Sequence, residues 1–379
     1  MTKAFCTIVS SNYLPQAEVL INSFKLHHPD DQFHLLLLDV CEIESSISDG
    51  VRYWIPEEIG IRLEDLQRMR KVYDVVEFAT SLKPFILHHL LQTGASEVTY
   101  LDPDIKIYSH IDTSINAQEG SVISLTPHRL TPSSLHSLRS LEKVFLKYGS
   151  FNLGFISVRD LDKSASFLRW WQEHLLTDST RRPISEVFTD QKWIDLVPSY
   201  FAYNKVEDYG FNVAPWNLDE RTLSYSSGDL IVNSTAKVKF VHFSQISGML
   251  ATGRLSHEWQ SKMSSSGMTP ETNKIFLGLI ESYSAELKEF SKSSKLVGNY
   301  KLLNSPYANF NYISRDYLSN KISRDPTHAL RVPYFRVFFL NSMSKYLTKL
   351  DSFNGLIWGI KHDLQRIKKK FKLVRFSRQ

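Results

Sequence analysis

The chain has 379 residues, 42% of them hydrophobic and 12% aromatic, with a formal charge of +5. That content excludes a disordered chain and suits two domains, or one large α/β domain with an appendage. The charge is too mild to argue for nucleic acid, and no basic stripe with interleaved aromatics crosses residues 1–250, so no nucleic-acid partner is expected.

Lys3–Val9 reads as a buried strand. The run "MTKAFCTIVSSNY" is too short in apolar residues for a signal peptide, and no stretch of about 20 apolar residues exists anywhere in the chain. A cytoplasmic protein is therefore expected. The two cysteines, Cys6 and Cys41, sit in or beside apolar runs and read as buried free thiols. After the polar turn "SSNY", Pro15 suits the start of a helix, along which Ala17, Leu20, Ile21 and Phe24 recur at helical spacing. "FHLLLLD", 33–39, is a second buried strand ending in Asp39. Residues 62–78 read as a charged helix. Residues 79–94 carry Leu82, Phe85, Ile86 and Leu90 on one helical stripe, with Pro84 marking a kink or a helix start and Gly94 a C-cap.

"SEVTYLDPDIKIYS", 96–109, is a strand that runs into Asp102 and Asp104. "SVISL", 121–125, and "FNLGFISVR", 151–159, are further strands, the second entered through Asn152 and Gly154. A helix with Trp170 and Trp171 spans 163–176, Asp190 and Gln191 open a short amphipathic helix, and "VKFVHFS", 238–244, closes the β-rich portion. Strand–helix alternation of this kind predicts an α/β fold with a mostly parallel sheet and helices on both faces. Beyond residue 250 the composition changes: 261–273 is linker-like, and 274–292 and 334–375 read as helices. The chain thus divides into an α/β body, 1–250, and a helical C-terminal extension, 251–379.

Asp102 and Asp104 pose a physical problem. Residues i and i+2 of an extended segment face the same way, and two carboxylates held together repel unless a cation lies between them. In open α/β sheets, ligands bind outside the carboxyl ends of the strands, which is where this pair falls. A hard ion such as Mn²⁺ or Mg²⁺ takes carboxylate oxygens and shares its remaining positions with substrate phosphates. The competing interpretation is a solvated Asp-Pro-Asp turn.

The surrounding motifs resemble the nucleotide-sugar glycosyltransferases of the GT-A fold. They are most similar to the glycosyltransferase family 8 type, which includes glycogenin and bacterial lipooligosaccharide galactosyltransferases. The resemblance runs over residues 3–250 through "TIVSSNY", "ATSLKPFILHHLL…SEVTYLDPDIKIYS", "FNLGFISV", "TDQKWID" and "FVHFS", in family order. The Lys-Pro-Trp that often follows the late histidine of that family is absent here, and Gly248 lies six residues after His242.

The resemblance implies a Mn²⁺- or Mg²⁺-dependent, retaining transfer from a nucleotide-sugar donor, UDP-linked, to a saccharide or glycolipid acceptor. It implies Asp102, Asp104 and His242 as metal ligands. It puts Thr7, Ser10, Asn12, Tyr13 and Asp39 at the nucleoside, Lys83 at the donor's phosphates or sugar, and Asn152 and Gly154 at the sugar pocket. Asp190 and Gln191 fall near the reacting carbon. Read from the residues themselves, Glu186 is a spare carboxylate nearby, and Trp216 is either an aromatic platform for an acceptor sugar or a core-packing residue. Asp190 is also a plausible helix N-cap.

Two other functions remain open. A nucleotidylyltransferase shares the α/β nucleotide fold but needs a glycine-rich phosphate loop after the first strand, where this chain has "SSNYLPQ". A non-catalytic nucleotide-sugar-binding or scaffold protein would keep the fold without turnover. The segment 355–379 sets Trp358, Ile360, Leu364, Ile367 and Phe371 among many Lys and Arg. That pattern suits a peripheral helix on an anionic membrane surface, or a solvated terminal helix packed on its own domain.

Overall fold

A computed structural model describes residues 2–39, 50–113, 119–132, 139–181, 187–244 and 268–293. Cys41, Glu186, Gly248, the helix expected at 334–375 and the basic segment 355–379 lie outside the described residues. The chain separates into two compact units, 1–308 and 309–379, and every described residue belongs to the first.

In chain order the first elements are β1 (Lys3–Val9), α1 (Leu14–His27), β2 (Gln32–Leu37), β3 (Val51–Trp54), α2 (Leu63–Val72), α3 (Val75–Ser81), α4 (Lys83–Gln92), β4 (Glu97–Leu101) and β5 (Ile105–Ile107). There follow β6 (Ile123–Pro127), α5 (Arg139–Tyr148), β7 (Phe151–Arg159), α6 (Leu161–Leu175), α7 (Gln191–Ile194) and α8 (Val197–Tyr200). The last described elements are β8 (Asn204–Lys205), β9 (Leu223–Ser226), β10 (Asp229–Val232), β11 (Ala236–Lys237), β12 (Phe240–His242) and α9 (Pro270–Ser293).

A central sheet of seven strands runs in the order β3-β2-β1-β4-β7-β6-β8. β3, β2, β1 and β4 are mutually parallel, β7 is antiparallel to both its neighbours, and β8 is parallel to β6. This is the expected α/β architecture, a mostly parallel, Rossmann-like sheet flanked by helices. β9, β10 and β11 form a small antiparallel sheet, and β12 pairs antiparallel with β5.

The helix boundaries differ from the expected ones for local reasons. The stretch read as one helix over 62–78 breaks at Asp74, whose carboxylate caps α3 by accepting from the backbone N–H groups of Val76 and Glu77. A second break falls at Leu82, and Pro84 sits in the first turn of α4, where a missing N–H costs nothing. Gly94, at φ +110°, lets the chain turn after α4, and the Ala95 N–H closes on the Leu90 carbonyl at 3.1 Å.

Among the described residues, two apolar clusters anchor the body. In one, Ala17, Leu20, Ile21 and Phe24 of α1 pack against Phe5, Phe33 and Leu35 of β1 and β2. In the other, Val19 on a second face of α1 joins Val213, Leu223, Val232 and Phe243 beneath Phe276, Ile280 and Tyr283 of α9. α9 follows the compositional boundary at residue 250, yet its apolar face is covered by the α/β body. Each buried Val, Leu, Ile or Phe among them contributes about 1.5–3 kcal/mol. Among the described residues no helix is long and apolar enough to cross a membrane.

Candidate metal centre

The parallel strands set the edge of the site. Cys6 of β1 is level with Tyr100 of β4, and Val9 is level with Leu37 of β2. The chain therefore leaves β1, β2 and β4 along one edge of the sheet, at Ser10, Asp39 and Asp102. The backbone then turns through Asp102–Asp104, with the Ile105 N–H bonded to the Asp102 carbonyl at 3.1 Å, and enters β5. β12 pairs with β5 in a register that puts His242 opposite Ile105, and the Phe243 N–H bonds to the Asp104 carbonyl at 2.8 Å. A short two-stranded ladder thus delivers a histidine from far along the chain to the acidic turn.

Asp102, Asp104 and His242 each offer a ligand atom, and these atoms lie within 4.8 Å of one another. His242 Nε2 is 3.1 Å from Asp104 Oδ1 and 3.8 Å from Asp102 Oδ2. The histidine is buried and the carboxylates are half-buried. Two oxygens and one nitrogen suit a hard or borderline divalent ion with positions left for other ligands. Burial pulls the His242 imidazole toward neutrality, but the Asp104 and Asp102 carboxylates outweigh it and raise its pKa above the usual value. The site attracts positive charge at Nε2.

The other face of His242 is also engaged. Nδ1 lies 3.2 Å from Asn152 Oδ1 and 3.3 Å from Asn212 Oδ1. Gly154 makes room for the ring: a Cβ there would stand 2.4 Å from His242 Cε1, where no carbon can sit. The Gly154 carbonyl also accepts from the Asp102 N–H at 2.8 Å, so β7 supports both the acidic turn and the histidine.

Beneath the acidic turn lies a buried charge pair. Lys83 Nζ is 3.0 Å from Asp190 Oδ2, 3.4 Å from Asp102 Oδ1 and 2.8 Å from the Leu153 carbonyl. It also sits 4.4 Å over the Tyr100 ring, whose hydroxyl donates to Asp102 Oδ1 at 2.7 Å. Burial pulls the Lys83 pKa down, but Asp102 and Asp190 outweigh it, so the ammonium is held charged. Burial pushes Asp190 above the usual carboxylate range, and Lys83 only partly opposes this. The Lys83 ammonium is thus directed at protein groups beneath the site. Asp190 occupies the N-cap position of α7 but makes no capping hydrogen bond; its carboxylate turns to Lys83 instead.

Gln191 spends its amide on the scaffold. Oε1 accepts from the Leu153 N–H at 3.1 Å and Nε2 donates to the Tyr148 carbonyl at 2.9 Å.

Of the expected nucleoside residues, Ser10, Asn12, Tyr13 and Asp39 lie at the same sheet edge, whereas Thr7 is buried within β1. Asp39 is buried and accepts from the backbone N–H and the hydroxyl of Ser11, at 2.9 and 2.5 Å. Ser10 donates to Asn12 Oδ1 at 2.5 Å, Tyr13 is 38% exposed, and the buried Thr7 hydroxyl has no hydrogen-bond partner among the described residues.

The structure adds residues to which the sequence drew no attention. Tyr100 fixes one oxygen of Asp102, Asn212 adopts a left-handed backbone (φ +52°) beside His242, and His128 lies behind Asn152. None of them belongs to a spacing that reading along the chain could detect. Trp216 does stand by the site, edge-on to His242 with ring centroids 5.4 Å apart.

Comparison with known proteins adds one similarity. The chain is 24% identical to the uncharacterized protein YfnF of Bacillus subtilis (strain 168) over 249 residues, which is 64% of this chain and 82% of that protein. No family model matches the chain.

Proposed function

We propose that this chain is a metal-dependent glycosyltransferase that moves a sugar from a nucleotide-diphosphate sugar, UDP-linked, to a hydroxyl of a saccharide acceptor. The observation that carries the proposal is the convergence of Asp102, Asp104 and His242 at the carboxyl edge of a mostly parallel sheet. The motif order along the sequence supports the same reading.

The residues present fit a divalent ion. Tyr100 and Lys83 both engage Asp102 Oδ1, which leaves Oδ2 on the His242 side. When bound, Mn²⁺ or Mg²⁺ would supply a Lewis acid against the charge that develops on a departing diphosphate. Lys83 secures Asp102 and Asp190 together, so the acidic turn and the candidate catalytic carboxylate keep a fixed separation. Asp190 is the candidate carboxylate for the reacting sugar carbon, its charge shared with Lys83. The nucleoside would lie along the Ser10–Tyr13 and Asp39 edge.

Thermal shift with a panel of nucleoside diphosphates, with and without Mn²⁺, tests the proposal. Stabilisation by one base only in the presence of Mn²⁺, lost in the Asp102→Asn/Asp104→Asn variant, is the expected result. No stabilisation by any nucleotide would overturn it and reduce "LDPDI" to a rigid acidic turn.

A further inference from the structure

The side chains behind His242 form a hydrogen-bonded line whose polarity is fixed at both ends. The Gly154 backbone N–H, which can only donate, points at Asn152 Oδ1 from 3.2 Å. Asn152 Oδ1 is therefore an acceptor, and His242 Nδ1, also 3.2 Å away, must donate to it. The Asn152 amide nitrogen then faces His128 Nε2 at 3.3 Å. That amide can only donate, so His128 Nε2 carries a lone pair and the His128 proton sits on Nδ1. Nδ1 in turn lies 3.3 Å from the Ser150 carbonyl, which can only accept. Burial lowers the His128 pKa to about 4, which keeps the ring neutral at pH 7 as the line requires. The ring is stacked on Phe145, with centroids 4.7 Å apart, and meets Trp216 edge-on at 5.7 Å.

We propose that His128 is a positioning residue for the cation site: acting through Asn152, it fixes the second proton of His242 on Nδ1 and reserves Nε2 for the ion. The proposal rests on the cation reading of the Asp102–Asp104–His242 cluster. Asn212 Oδ1 is a second acceptor for the same Nδ1, but the Asn212 amide nitrogen has no partner among the described residues, so nothing fixes which way that amide points. Asn152 is fixed on both sides, and His128 supplies the side that the backbone does not. Ligating histidines commonly donate their other ring N–H to such a partner, and losing it costs about 10–100-fold in metal affinity.

The test uses the full chain and Mn²⁺ alone. His128→Phe keeps an aromatic ring against Phe145 and removes the acceptor; His128→Gln restores an acceptor oxygen. Binding is read from the electron paramagnetic resonance of free Mn²⁺, which requires no turnover. The expected result is an affinity loss of about tenfold for His128→Phe, the lower end of that range because His128 acts one residue removed from the ligand, most of it regained in His128→Gln, with similar melting temperatures in chelator. Wild-type affinity in His128→Phe overturns the proposal, and so does an equal loss in both variants, since that is what a packing role predicts.

Should His128→Phe not fold, ring ¹⁵N spectra of the wild-type protein loaded with Mg²⁺ decide. Protons on Nδ1 of both His128 and His242 are expected, and a proton on His128 Nε2 overturns the proposal. If the wild-type chain binds no Mn²⁺, the cation reading fails and takes this proposal with it. If it binds and His128→Phe binds equally, only the role of His128 is lost.

Discussion

Lys83 and Asp190 form an ion pair at 3.0 Å, with side chains 3% and 2% exposed. A buried pair is poor evidence for net stabilisation, because the desolvation of two charges offsets most of their attraction. Breaking one is different, since the surviving charge is stranded. Lys83→Met should therefore destabilise the fold by about 3–5 kcal/mol, measured as a lower urea midpoint. Lys83→Met/Asp190→Leu should recover most of that loss and still show no transfer activity. A single variant as stable as the wild type would mean that solvent reaches the pair.

Asp102 and Asp104 should show their role chiefly when a cation is present. Their carboxylates stand together with His242 at a site built to attract positive charge. Replacing both with Asn removes their mutual repulsion but also the negative charge that Lys83 and the protonated His242 draw on, so without a divalent ion the variant should melt at or below the wild-type temperature. With Mn²⁺ the gap should widen. The wild type gains about 2.7 kcal/mol at an ion concentration 100 times its Kd, and the variant gains nothing. Equal Mn²⁺ shifts in both proteins would place the ion elsewhere.

Gly154→Ala probes the support of the histidine. The added Cβ would meet His242 Cε1 at 2.4 Å and Nδ1 at 2.7 Å. Either the ring leaves its seat or β7 shifts, and both separate Nε2 from the carboxylates. The expected outcome is a folded protein whose Mn²⁺-dependent stabilisation is largely abolished, seen by thermal shift. Overpacking of this kind costs about 1–3 kcal/mol, less than the stability of about 5–15 kcal/mol that folded domains ordinarily have. A Gly154→Ala variant that binds Mn²⁺ normally would show that His242 is not a ligand.

The sequence revealed what is periodic or contiguous. β1, β2, β4 and β7 are near-continuous apolar runs, as strands buried on both faces must be, and they were legible at once. The acidic pair was legible because both carboxylates lie within three residues of one strand end. Short or polar strands were not: β3 reads Val-Arg-Tyr-Trp, β8 has two residues, and β9 to β11 alternate too briefly to stand out. Tertiary pairing, rather than local pattern, makes them strands. Within the site, Asp190 illustrates the limit. Its position before a short helix suggests a cap, and only the packing of β7, α4 and α7 brings it to Lys83. The same holds for His128, where the hydrogen-bond directions carry the information and the one-dimensional sequence has no trace of them.

His242 gives the pH dependence. Its folded-state pKa is raised above the ordinary histidine value of 6.5 because the Asp104 and Asp102 carboxylates outweigh burial. In the absence of a divalent ion, the protonated ring thus contributes stability that is fully present below about pH 6.5 and is lost as pH rises through the folded value. The ion reverses the sign. It takes Nε2, so it must displace that proton, and its affinity should climb with pH over the same window by up to about tenfold per pH unit. The two effects run in opposite directions in one protein. A melting series from pH 6 to 9 should therefore show the chelated protein losing stability with rising pH while the increment from Mn²⁺ grows. His242→Gln, which cannot titrate, should flatten both curves. An Mn²⁺ increment independent of pH in the wild type would mean that no proton leaves on binding, and His242 would then have to be removed from the ligand set.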